Sequence, residues 1–186
     1  TTLPDAVRKQ LDAARSFTME TALDPSGMMS LATRMVFTDG RDLPGVAGED
    51  LYRRVVPLMA GYGVPQELAR LFKPWAVMLM LVMPPQQPAD ALDFVLYRIA
   101  SGQGKPLYFL ETVDDQVAAL EGMSEADQVA MLRHTVETRR ELPAITSKLI
   151  DAYLQRDLGL MWRINQAGVQ NRPGLKSINE TFTRRL

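Results

Sequence analysis

Phe17-Thr18-Met19-Glu20-Thr21 and Tyr108-Phe109-Leu110-Glu111-Thr112 are two versions of one short phrase, apolar and β-branched residues closing on a glutamate and a threonine. Each reads as a β-strand, over Ser16 to Leu23 and Leu107 to Leu110. The rest of the chain is helical in pattern. The fold class expected is therefore α/β (α+β) and helix-dominated, a few strands forming a small or incomplete sheet flanked by about eight helices. In open α/β sheets, ligand-binding groups gather at the carboxyl ends of strands. Glu20 and Glu111 both stand at such ends, so they are the candidate catalytic and ligand-binding residues.

Working outward from the first strand, Leu3 to Ala14 carries Val7 and Leu11 four residues apart, with Pro4 at a first helical position. Asp24-Pro25-Ser26-Gly27 reads as a turn, and Met35-Val36-Phe37 as a short extended piece before a tight turn at Asp39-Gly40. From Gly48 to Gly102 four apolar stripes follow at helical spacing: Leu51, Val55, Val56, Leu58, Met59; then Leu68, Leu71, Phe72; then Trp75 to Met83; then Leu92, Val95, Leu96, Ile99.

Beyond the second strand, Thr112 with Asp115 and Ser124 with Asp127 have capping-box spacing, so Glu111 directly precedes a helix N-terminus. Pro143 is expected to end the following helix. Ile145 to Tyr153 and Leu158 to Ile164 suggest a helical pair joined near Gln155-Arg156-Asp157.

Composition excludes several function classes. The 21 Lys and Arg are offset by 22 Asp and Glu, a net charge of -1, so no global field attracts nucleic acid or an anionic membrane. With no cysteine there is no disulfide framework, thiolate zinc site or cysteine nucleophile. The longest apolar run, Trp75 to Met83, is far shorter than the roughly 20 residues a membrane span needs. No G-x-S-x-G motif supports a triad, and Gly102-Gln103-Gly104-Lys105 precedes a strand rather than a helix, the wrong geometry for a phosphate loop. The chain opens on Thr1, and Ile178 to Leu186 reads as a helix without a stop signal, so it is expected to be the central part of a longer protein.

Gly104-Lys105-Pro106-Leu107-Tyr108-Phe109-Leu110-Glu111-Thr112 followed by Gln116 resembles the GK-P-x-x-G-L-E-T-x-x-x-Q segment of the TraB/GumN family, relatives of the TIKI proteases and more distantly of ChaN-like proteins. Leu92-Asp93, Leu3-Pro4 through Glu20, Lys73-Pro74-Trp75, Ser124 to Gln128, Tyr153 to Asp157 and Trp162 continue the match, which takes residues 1–186 as one domain. Phe109 stands where that family usually has Gly, and both of the family's G-x-x-H motifs are missing.

The resemblance implies a metal-dependent hydrolase acting on a peptide or small-molecule substrate, in a periplasmic or secreted setting. Its divalent metal would be Mn, Co or Zn, with Glu20 and Glu111 as ligand or general base and Asp93 as an accessory group. Each carboxylate has a plainer reading as a helix cap or exposed strand end. The alternative function is a non-catalytic binding or scaffold module, or a ChaN-like binder of a ligand such as haem.

Other candidates are weaker. His134 and Glu137 share a helical face, but one imidazole and one carboxylate more often form a solvated face than a metal site. Met28, Met29, Met78, Met80 and Met83 could line an adaptable surface, although methionines at helical spacing are mostly core filler. Trp75 and Trp162 read as packing anchors. Unpaired strand edges would make a homo-oligomer the expected state.

Overall fold

The computed structural model describes residues 3–21, 25–83 and 92–170. Ala22, Leu23 and the segment Ile178 to Leu186 lie outside them. Among the described residues are eleven helices and two strands, the strands forming one parallel sheet. The helix-dominated α/β reading holds, with more helices than the eight expected. The chain divides into two compact units, each assembled from two segments: Thr1–Arg34 with Pro85–Leu120, and Met35–Pro84 with Glu121–Leu186.

The first unit holds α1 (Asp5–Ala13), β1 (Phe17–Thr21), α2 (Pro25–Arg34), α7 (Leu92–Gly102), β2 (Leu107–Glu111) and nearly all of α8 (Val113–Glu121). Parallel strands cannot be joined by a tight hairpin, and here the second unit's first segment is interposed between β1 and β2. Phe17 pairs with Leu107, Thr18 with Tyr108, Met19 with Phe109 and Thr21 with Glu111. Helix α7 lies against β1, and Leu11, Met19, Ala100, Val113 and Val117 are buried. Lys105 fastens the C-terminus of α1 by donating its ammonium protons to the carbonyls of Asp12 (3.1 Å) and Ala14 (2.6 Å), which are backbone groups that no helical N–H can reach.

Two sequence expectations are corrected in this unit. Pro25 opens a helix instead of sitting in a turn, since a proline's fixed φ suits the first helical position. Pro4 is the N-cap residue of α1, one position earlier than expected.

The second unit contains α3 (Leu43–Ala47), α4 (Glu49–Ala60), α5 (Gln66–Ala69), α6 (Pro74–Val82), α9 (Glu125–Thr138), α10 (Leu142–Leu154) and α11 (Leu158–Gln170). Its core joins Leu43, Leu51, Val55, Met59, Val77, Leu81 and Leu132, all essentially without solvent contact. The run from Trp75 is a core helix as expected, and among the described residues no helix is long and apolar enough to cross a membrane. The extended piece at Val36 is also present, as an antiparallel bridge to Phe72 closed by the Phe37 N–H on the Leu71 carbonyl (2.7 Å).

Here too the structure departs from periodicity. Ala69, not Leu68 or Leu71, is the residue that α5 buries, because one helical turn offers the core a single position. Pro143 lies in the first turn of α10, while α9 stops at Thr138. A proline without an N–H starts a helix as readily as it ends one, so its side of the boundary was ambiguous. Trp75 is the buried anchor expected, whereas Trp162 is 63% exposed.

Candidate functional site

Neighbouring side chains of a strand point to opposite faces of its sheet. The register sets Thr21 beside Glu111, so Glu111 shares a face with Met19 and Thr21, and Glu20 shares the other with Tyr108 and Leu110. The two strand-end glutamates stand on adjacent strands yet face opposite ways. A one-residue offset in the pairing is enough to produce this.

Glu20 instead shares a cleft with Asp93. A cleft of about 430 Å³ runs along β1, lined by Thr18, Met19, Glu20 and Thr21, by Asp93 and Phe94 from the first turn of α7, and by Gln116 from α8. The Gln116 side-chain amide donates to Glu20 Oε1 at 3.3 Å. Thr21 is buried, and its hydroxyl has no hydrogen-bond partner among the described residues. Glu111 is exposed and does not line this cleft. Sequence reasoning placed Asp93 as an accessory group and quoted Gln116 only as part of a motif. The structure places both in the cleft that Glu20 lines, Gln116 in hydrogen-bond contact with it.

Glu111 is not the cap of α8 either. That role belongs to Thr112, whose hydroxyl accepts the Asp115 N–H (3.1 Å) while Asp115 Oδ2 accepts the Thr112 N–H (2.9 Å). The reciprocal pair is the capping box the sequence signals. Ser124 and Asp127 repeat its hydroxyl half at α9, with the Asp127 N–H 3.1 Å from Ser124 Oγ. Asp114, next in the first turn of α8, accepts from Ser30 Oγ (2.8 Å) and from Arg34 (3.0 Å), which ties α2 to α8.

These contacts set the local electrostatics. The Thr112 hydroxyl and N–H hold the Asp115 carboxyl below its ordinary value, and the Ser30 hydroxyl, then the Arg34 guanidinium, do the same for Asp114. A carboxyl lowered by folding stabilises the folded state above its unfolded pKa, and that contribution is lost as pH falls through the folded value. Helix α8 should therefore keep constant amide protection from neutrality to about pH 5 and lose it below about pH 4. Asp115→Asn should be less stable at pH 7 and show a shallower acid decline, read by hydrogen exchange across an acid titration. An acid profile unchanged by the substitution would assign the decline to other groups.

The profile of the TraB/PrgY/gumN family matches residues 1–186. The chain belongs to the TraB/PrgY/gumN family. No curated protein and no solved structure matches it.

The TraB/GumN resemblance implies a divalent metal, and the donor set here tests that. The cleft offers two carboxylates and an amide oxygen but no imidazole. Among the described residues no three His, Cys, Asp or Glu side chains converge as a metal site, and His134 lies on α9 in the other unit. These residues do not fit a complete metal centre.

Proposed function

We propose that the cleft along β1 is the ligand site of this TraB/PrgY/gumN family member, and that its ligand presents a cationic, N–H-rich group such as a peptide amine. The presence of Glu20 and Asp93 in the lining of one cleft carries this reading. Two carboxylates from different elements accept from an ammonium or guanidinium by charge-assisted hydrogen bonds. Gln116 orients Glu20 for that contact. The Phe94 ring supplies an apolar wall for the ligand's carbon chain.

Peptidase-type hydrolysis, in a periplasmic or secreted setting, extends the same proposal through the family resemblance. Glu20, held by Gln116, is then the group placed to take a proton from an attacking water. A non-catalytic binding module is the second reading, favoured by the opposed faces of Glu20 and Glu111.

Titrating isotope-labelled protein with trilysine, with triglycine as the uncharged control, tests the binding site. Trilysine should shift the amides of Thr18 to Thr21 and Gln116, and combining Glu20→Gln with Asp93→Asn should weaken binding roughly tenfold, the worth of two partly exposed ion pairs. Shifts of equal size in the double variant sink the assignment. Mass spectrometry of the peptide separates the two readings, since cleavage marks a hydrolase and an intact bound peptide marks the module. Broadening of the same amides by Mn²⁺ would show that these residues take a divalent ion without an imidazole.

A further inference from the structure

The cleft along β1 touches four consecutive residues of that strand, Thr18 to Thr21. Successive side chains of a strand leave opposite faces of the sheet, so a cleft confined to one face would reach only alternate residues. This cleft therefore follows the strand's edge. β2 contributes no residue to its lining, so the edge is the one turned away from β2.

The ladder shows which backbone groups stand there. The Phe17 N–H donates to the Pro106 carbonyl at 2.9 Å, on the β2 side, and Thr18 and Met19 continue the pairing in register with Tyr108 and Phe109. Backbone groups alternate in direction along a strand, so the N–H and C=O of Thr18 and the N–H of Glu20 point to the other edge. The sheet has two strands, and among the described residues no backbone group pairs with these three. An open row of this kind is a template for another extended chain. Thr21, in the same lining, adds a buried hydroxyl without a hydrogen-bond partner among the described residues.

We propose that the ligand of this cleft is an extended peptide segment carrying lysine or arginine, and that it binds by adding a strand to the free edge of β1. The inference rests on the cleft being the ligand site and says how the ligand lies in it. Main-chain hydrogen bonds to Thr18 and Glu20 hold the segment, and alternate side chains select it. Glu20 and Asp93 set the charge of that selection, since the lining offers two carboxylates and no cation. A second copy pairing through β1 would set its own Glu20 and Asp93 against the first copy's, like charges in one cleft. Four residues at about 3.3 Å each give an edge roughly 13 Å long, room for about four extended ligand residues.

Hydrogen exchange on the full chain, with saturating acetyl-Val-Lys-Val-Lys-amide, tests the proposal. Exchange of the Thr18 and Glu20 amides should slow at least about tenfold, while Met19, whose N–H already faces β2, stays unchanged. The same peptide methylated on every backbone nitrogen keeps its charge and loses its donors, and should bind at least about tenfold more weakly. Binding that leaves Thr18 and Glu20 unprotected, or equal affinity for the methylated peptide, overturns strand addition while leaving the cationic site standing. Equal protection by acetyl-Val-Thr-Val-Thr-amide overturns the cationic occupant. Binding of neither peptide removes the ligand site and this inference together. Protection of Thr18 and Glu20 that rises with protein concentration in the absence of peptide overturns the proposal in favour of a second copy.

Discussion

Val117→Asp is expected to unfold the unit built on β1 and β2, costing about 3–5 kcal/mol. Val117 is 2% exposed on α8, and the other buried side chains described in this unit, Leu11, Met19, Thr21, Ala100 and Val113, offer no cation. The new carboxyl must either ionise without a partner or take up a proton at neutral pH, and both cost free energy. A core of this size rarely supplies more than about 3–5 kcal/mol, so the substitution removes a stability comparable to the whole. Hydrogen exchange should show β1, β2 and α8 losing protection at pH 7 and regaining part of it toward pH 5, where the carboxyl is neutral. Full protection of β1 and β2 in the variant would show that Val117 is not central to this core.

Leu132→Ala is the counterpart in the second unit, with an expected loss of about 3–5 kcal/mol. Leu132 has no solvent contact and joins α9 to the cluster of Leu51, Val55, Val77 and Leu81. Deleting its side chain removes transfer free energy and leaves a cavity, because close-packed helices relax only partly into the space. Helix α6 is held mainly by α9, so the loss should appear first as faster exchange of α6 amides. Leu132→Met, nearly volume-conserving, should cost less than about 1.5 kcal/mol. Equal losses for Ala and Met would mean that shape, not cavity volume, sets the penalty at this position.

Much of the fold was legible because its signals are local. The capping boxes at Thr112 and Ser124, the proline that opens α6, and the apolar run behind it each act within one or two helical turns, and each appears where the sequence places it. Misread positions had signals with two meanings. Pro25 and Pro143 both lie in the first turn of a helix, where a proline's lack of an N–H costs nothing. Helix α3 was missed although its signal was present, an aspartate N-cap at Asp42 that accepts the Gly45 N–H at 2.9 Å, with Pro44 in the first turn.

The site divides along the same line. That Glu20 and Glu111 stand at the ends of two strands, and that Asp93 lies in the first turn of a helix, follows from the order of residues. Which carboxylates meet does not, because it depends on the register between strands far apart in the chain. Side-chain direction alternates with every residue, so an offset of one position turns Glu111 away and leaves Glu20 with Asp93 and Gln116. The sequence by itself therefore determined the strands, the caps and the core helix through short-range chemistry. The pairing of β1 with β2 and the packing of α7 against β1, contacts between distant segments, decided which acidic groups share a cleft.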